Sequence, residues 1–321
     1  MNDHPANNKY HGLISKNLNI ETWKVSNTLD LIAEGATVPF ISRYRKEVTG
    51  GLDETQIHEI RNLYDRFVEL DKRRDTILRT IEEQGALTDD LRKQIEAVMT
   101  MTELEDLYLP FRPKKKTRAS VARENGLEPL AKIILQQKGL DIYKKAEEYI
   151  SDRVSSIEDA FQGARDIMAE WMNENTHARQ QIRKLFYRQS TISSHVIRSK
   201  DEDGIKYKDY YDFEERFNKC PSHRILAIFR GEEEGFLKSR IGPEDTEAIY
   251  ILDKIFIKNN NDESGQVSIA VRDAYKRLIF PSIESEFRQI AKERADNEAI
   301  KVFTDNLRQL LLAPPLGQKR V

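Results

Sequence analysis

The chain has 321 residues, of which 33% are charged, yet 52 Lys and Arg set against 54 Asp and Glu leave a formal net charge of −2. That length allows two domains with real cores, and the near balance of sign excludes a histone-like polycation, leaving only local patches for contact with a polyanion. A single cysteine, Cys220, excludes an internal disulfide, and no apolar run has the length of a leader or a membrane span, so a cytoplasmic location is expected.

Helical punctuation begins early. Val25, Leu29, Ile32 and Ala33 mark an amphipathic helix. Val38-Pro39 opens a short one, because proline is tolerated at the first helical position. Phe40, Tyr44 and Val48 follow at four-residue spacing and predict one buried stripe, with Arg43, Arg45, Lys46 and Glu47 around the remainder. Gly50-Gly51 then breaks the chain, and Asp53 with Gln56 reads as a capping box. A long helix is predicted from Asp53 to Gln84 on Ile57, Ile60, Tyr64, Phe67, Leu78 and Ile81, with Gly85 as its C-terminal stop. Asp71 and Arg74 interrupt this seam, and the apolar row shifts to Leu70 and Ile77, which favours packing within one molecule over a dimeric coiled coil. Thr88 and Thr102 read as N-caps, the second boxed by Glu105.

Beyond Thr117 a short helix from Ala119 to Glu124, the turn Asn125-Gly126 and a helix entered through Pro129 form a helix-turn-helix pattern. Further helices are predicted at Tyr143 to Ile150, Ile157 to Asn173 and His177 to Arg188. Thr191 to Lys200 and Ile205 to Phe213 then read as a β-hairpin turning at Asp203-Gly204. Ser222 to Arg230 is predicted helical, Phe236 to Ile241 a strand, and Thr246 onward helical to the loop Asn259-Asn260-Asn261. Pro281-Ser282 opens a last helix whose Ile283, Phe287, Ile290, Ile300, Phe303, Leu307, Leu310 and Leu311 keep helical spacing to Pro314-Pro315. The expected fold is mainly α: a multi-helical discontinuous scaffold built from residues 1–118 and 191–321, with an inserted helix-turn-helix-like module over 119–190 and a small β-hairpin.

Three basic concentrations stand out. Arg112, Lys114, Lys115, Lys116 and Arg118 place five cations in seven residues, interrupted by Pro113, so no helix face can gather them. This run reads either as a phosphate contact or as a solvated linker. From Asn175 to Lys200 no Asp or Glu occurs, whereas Arg179, Arg183, Lys184 and Arg188 do, and Tyr187 continues the Arg179-Arg183 row. A cationic strip with an aromatic suits stacking and phosphate contact. Its competing reading is pairing with the acid-rich stretch from Asp201 to Glu215 across the hairpin. In the third, Arg43 and Lys46 can face together while Arg45 points away on an ideal helix, so a structural clasp with one arginine forked onto an acid is expected.

The helix-turn-helix pattern invites a reading as a DNA reader, but its second helix carries one basic residue, Lys132, so a structural helix pair is expected. Cys220 and His223 form an isolated pair with no second pair at ligand spacing, and there is no GxxxxGK[ST], GxSxG or HExxH. No metal, no cofactor and no enzymatic activity are expected.

Four segments carry a family resemblance: PFISRYRKEVTGGLDETQ (Pro39 to Gln56), DLYLPFRPKKKTRASVARENGLEPLA (Asp106 to Ala131), PSHRILAIFRGEEEG (Pro221 to Gly235), and RLIFPSIESEFRQIA with AIKVFTDNLRQLLLAPP (Arg277 to Pro315). In this order they resemble the Tex family of bacterial transcription accessory proteins, related to a eukaryotic transcription elongation factor. The resemblance implies an N-terminal region, ahead of ribonuclease H-like, helix-hairpin-helix and S1 domains. It further implies association with RNA or DNA as a scaffold in transcription. Within the chain, Arg112, Lys114, Lys115, Lys116, Arg118, Arg179, Arg183, Lys184 and Arg188 are the candidate contacts, while Phe40, Arg43, Tyr44, Arg45, Lys46, Gly50 and Gly51 form a structural motif. The alternative is a protein-interaction scaffold on RNA polymerase or its associated factors, without contact to nucleic acid. No membrane partner is expected.

Overall fold

A computed structural model of the chain describes residues 8–113, 116–198, 200 and 203–313. It is mainly helical, and it divides into two compact units, Met1–Arg112 and Pro113–Val321.

The first unit is built along one helix. α1 (Asn8–Leu18), α2 (Thr22–Ala33), α3 (Val38–Tyr44) and α4 (Lys46–Thr49) precede α5 (Glu54–Glu83), and α6 (Asp89–Ala97) and α7 (Met101–Tyr108) follow it. The expected capping box forms: Gln56 N–H donates to Asp53 Oδ1 at 2.8 Å, and Asp53 N–H donates to Gln56 Oε1 at 3.1 Å. Thirty residues of α-helix reach about 45 Å, so α5 serves two cores. Its first half packs Ile57 and Ile60 against Tyr10, Ile14, Val25, Leu29 and Ile41, and its second half packs Leu70, Ile77 and Ile81 against Ile95, Leu104 and Tyr108. Arg74 stands where the apolar seam is interrupted. It is buried, pairs with Asp71, and donates to the carbonyls of Ile95 at 3.1 Å and Val98 at 2.7 Å, so the interruption clamps the end of α6. Thr88 caps α6 as expected, but α7 is capped by Thr100, two residues before Thr102. Glu105 instead accepts from Arg73 and Arg112, each at 2.5 Å.

The second unit is organised around α11. α8 (Arg118–Glu124), α9 (Glu128–Gln136) and α10 (Ile142–Glu147) lead to α11 (Ile157–Glu174) and α12 (Thr176–Gln189). β1 (Thr191–Val196), β2 (Asp212–Arg216), α13 (Ser222–Glu233), β3 (Leu237–Gly242), α14 (Asp245–Phe256), α15 (Asp262–Asp273) and α16 (Phe280–Leu311) complete it. One apolar cluster runs from Ala119 through Phe161, Ile167 and Phe186 to Phe287 and Ala295. The expected division at residues 118 and 190 therefore does not follow the packing: residues 119–190 share a core with the elements after them. Gly163 lets α11 approach the α8–α9 turn, since a Cβ there would stand 2.3 Å from Leu127 Cδ1.

The hairpin is also different in form. β1 pairs antiparallel with β2 and with β3, giving the order β2-β1-β3. The segment Ile205–Tyr210 is a 3-10 helix that buries Tyr207, so the strands do not meet in a tight turn at Asp203-Gly204. Asp201 and Glu202 lie outside the described residues. Ser222 does not cap α13; its hydroxyl bonds Glu298.

The last helix begins earlier than Pro281. α15 runs into a π-helical segment, Ala274–Ile279, and on into α16. A proline inside a helix lacks a donor and crowds the carbonyl four residues back, and a wider turn upstream accommodates both. Ile283, Phe287, Ala291 and Ala295 are buried, whereas Ile300, Phe303, Leu307, Leu310 and Leu311 keep helical spacing but are exposed. Pro314-Pro315 lie outside the described residues.

A distant polar clasp closes this unit. Gln137 adopts a left-handed conformation (φ 56°), donates from Nε2 to Phe256 O at 2.8 Å, and accepts from Lys258 N at 2.8 Å and Ser264 Oγ at 3.0 Å. Buried Glu263 accepts from Gly139 N at 3.0 Å and Leu140 N at 2.8 Å.

Gly163→Val is expected to destabilise the second unit by about 1–3 kcal/mol through overpacking against Leu127, measured by urea unfolding. A pH dependence is expected from Glu232, which accepts from Ser239 N at 3.1 Å, Ser239 Oγ at 2.8 Å and Arg288 Nη1 at 2.7 Å. Burial alone would raise its pKa, but the Arg288 and Ser239 bonds outweigh burial and hold the carboxyl below its usual 4.5. Its contribution is therefore present above that value and lost as pH falls through the lower folded value. Acid unfolding of Glu232→Gln should show a shallower loss of stability below about pH 4.5 than the parent.

Candidate nucleic-acid interface

The segment from Arg112 to Arg118 belongs to two units. In the first, Arg112 is held by Glu105 and lies 5.9 Å from the centroid of the Tyr108 ring. Lys114 and Lys115 lie outside the described residues. In the second, Lys116 is exposed, and Thr117 caps α8 by a capping box with Ser120. Exposed Arg118, with Arg153, Asp159 and Asp166, lines a cleft of about 270 Å³, so acids there offset the bases. The helix pair α8–α9 forms around Asn125 and Gly126 (φ 77°), with Arg123 Nη1 donating to Glu170 Oε2 at 2.5 Å.

On α12 the cations separate by depth. Asn175 caps the helix, and Ala178, Ile182, Leu185 and Phe186 enter the core. Arg179 and Arg183, 3% and 9% exposed, turn inward with that face. Arg183 Nε and Nη2 fork onto Glu286 at 2.6 and 3.0 Å, and Arg179 Nη2 donates to Glu286 Oε1 at 3.1 Å and Ser282 Oγ at 3.0 Å. The expected Arg179-Arg183-Tyr187 surface strip is thus corrected: both arginines tie α12 to α16. Both pair with Glu286, and in the described part of the Asp201–Glu215 stretch His195 meets Asp212 at 3.5 Å.

Lys184, Tyr187 and Arg188 do face solvent, Tyr187 at 55%. Two residues absent from the sequence-based set join them. Phe217 N–H donates to Ser190 O at 2.9 Å, Asn218 Nδ2 donates to Tyr187 O at 2.7 Å, and Arg216 is registered opposite Thr191. These bonds hold exposed Arg216 and Lys219 beside the end of α12. Among the described residues, Lys184, Arg188, Arg216 and Lys219 have no ion-pair partner. Arg294 Nη2 fixes the turn beneath, donating to Phe217 O at 3.2 Å and Cys220 O at 3.3 Å. Arg216 ends β2 and Lys219 lies in the turn after it, so only the strand register and that turn's bonds bring them beside α12. Cys220 is buried, and burial first, with Glu215 adding, pushes its thiol up to about 12.

The opening motif also departs from expectation. Val38, Ile41 and Ser42 are the buried residues of α3, while Phe40 and Tyr44 are exposed. The helix breaks at Arg45 (φ −131°, ψ 30°), which takes Val48 out of phase with the other two. Arg45 Nη1 donates to Tyr44 O at 3.2 Å and its guanidinium stacks 5.2 Å from the Phe40 centroid, so it does not fork onto an acid. Gly50 (φ 66°) and Gly51 (φ 81°) make the left-handed exit, with Trp23 packed so closely that a Cβ at Gly50 would meet its ring at 2.5 Å.

Among the described residues no group of three His, Cys, Asp or Glu could hold a metal ion, and no helix is long and apolar enough to cross a membrane. The chain matches the Tex central region-like family over residues 137–303 and the Tex-like protein N-terminal domain over 8–82. It is 39% identical over 314 residues to the transcriptional accessory protein Tex of Neisseria gonorrhoeae, covering 95% of this chain and 41% of the relative. Protein tex of Bordetella pertussis is 38% identical over 315 residues, 93% of this chain and 40% of the relative. The human S1 RNA-binding domain-containing protein 1 is 28% identical over 321 residues, 95% of this chain and 32% of the relative. The chain therefore spans about four tenths of the length of the bacterial relatives.

Replacing Glu286 by Ala should leave two buried guanidinium groups without this acid and destabilise the fold by about 3 kcal/mol, measured by urea unfolding.

Proposed function

The chain belongs to the Tex family, and from that premise we propose that it acts as a nucleic-acid-associated scaffold in transcription, binding without catalysis. The observation that carries this reading is the exposed set Lys184, Arg188, Arg216 and Lys219 around Tyr187, without an ion-pair partner among the described residues. Cations held by strand register and turn bonds contact phosphates with little loss of order, and an exposed ring accepts an unstacked base. The transcription role is that of the related transcriptional accessory proteins, and the S1 RNA-binding domain of the human relative is consistent with nucleic acid as the class of partner.

A second reading, a scaffold docking on RNA polymerase or its associated factors, is favoured by Ile300, Phe303, Leu307 and Leu310. They form an exposed apolar row suited to a helix-in-groove contact. Retention of the chain on purified polymerase with no retardation of RNA or DNA would select it.

The first reading predicts salt-sensitive binding of single-stranded RNA by fluorescence anisotropy, with affinity falling as salt rises. In the double variant Lys184→Glu and Arg188→Glu the slope of log K against log salt should drop by about 0.7 per phosphate contact removed. Affinity indifferent to salt overturns it.

A further inference from the structure

We propose that α3 and α4 present a second, separate stacking platform for single-stranded nucleic acid, in which Tyr44 and Phe40 take bases and Arg43 and Lys46 take the flanking phosphates. The inference rests on the preceding reading for the class of ligand only; its residues all lie in the first unit.

Four-residue spacing ought to bury Phe40 and Tyr44, yet the core is filled by Val38 and Ile41, and the two rings stand 41% and 64% exposed. They form one object: their centroids are 5.5 Å apart at an interplanar angle of 44°. Arg45 already covers Phe40, with its guanidinium 5.2 Å from that ring, and its bond to Tyr44 O holds it there. Tyr44 is thereby left as the more open face.

The charges that the segment itself carries up to Lys46 are of one sign. From Gly35 to Lys46 the sequence contains no Asp or Glu, and the first acid is Glu47. Among the described residues, Arg43 and Lys46 have no ion-pair partner. On an ideal helix Arg45 would oppose Arg43, but the break at Arg45 ends α3 and starts α4 at Lys46, so the group is not bound to one helical wheel.

The platform is also braced. Asn27 Nδ2 donates to Val48 O at 2.8 Å, and Trp23 packs on Gly50 with the Lys24 ammonium 5.5 Å from its ring. Beside α3, Val38 and Pro39 border a cleft of about 520 Å³ whose lining includes Glu54, His58 and Arg61 of α5. Such a surface selects unpaired strands, because the faces of bases in a duplex are already stacked on their neighbours and unavailable to a tyrosine ring.

The test uses the full chain with a short oligouridylate carrying 5-iodouridine, photo-crosslinked and mapped by peptide mass spectrometry, beside anisotropy titrations. Adducts are expected on the peptide containing Phe40 and Tyr44. Tyr44→Ala should weaken binding about tenfold with an unchanged salt slope, and Tyr44→Trp should bind like the parent. The double variant Arg43→Ala and Lys46→Ala should instead flatten the salt slope. Tyr44 is exposed, so an unchanged thermal midpoint for Tyr44→Ala verifies that only the surface has been altered. Adducts confined to the region around Lys184 to Lys219, or parent-like binding by Tyr44→Ala, overturn this inference and leave the α12 surface standing. Adducts confined to the α3–α4 segment support it while removing the α12 surface, and absence of any binding at low salt overturns both.

Discussion

The bidentate grip of Arg183 on Glu286, shared with Arg179, governs the second unit. It fastens α12 to α16 across more than a hundred residues of sequence, and a buried guanidinium without an acid would be far less favourable than either residue in water. The same grip sorts the charges of α12. Two cations become internal supports, and what remains for a polyanion is the part of the helix that Glu286 cannot reach, together with the turn after β2. An interface here is defined by subtraction: the surface cations are those left over after the core has taken its own.

Buried charge performs comparable structural service elsewhere. Arg74 interrupts the apolar seam of α5 because two carbonyls at the end of α6 need a donor, and Glu263 receives two backbone N–H groups that would otherwise be stranded inside the fold. Arg288 and Glu232 join α16, α13 and β3 in the same manner. In a chain with a third of its residues charged, many of them are architectural, and a count of basic residues along the sequence overstates the surface available for phosphates.

Helical existence was legible from the sequence, because spacing and caps are local: the Asp53–Gln56 box, the length of α5, the turn at Asn125-Gly126 and the strand before Ile241 are all present. Partners distant in sequence were not legible. Nothing near Arg179 announces Glu286, and nothing near Arg188 announces Lys219. The Phe40-Tyr44-Val48 stripe failed for a related reason, since periodicity assumes an unbroken helix and Arg45 ends it. The residues beyond Ala295 show a further limit: helical spacing records an apolar face but does not say what, if anything, covers it.

The clasp around Gln137 has a consequence in time. Its partners, Phe256, Lys258 and Ser264, lie roughly 120 residues downstream, and Glu286 lies later still. As the chain emerges during synthesis, the first unit can assemble from neighbouring segments, because its cores draw only on residues up to Phe111. Arg179 and Arg183 of α12 must wait for Glu286, which is made more than a hundred residues after them. Closing so long a loop makes the second unit the slow step, and it marks the interval before Glu286 appears as the one in which a nascent chain is most exposed to misassembly.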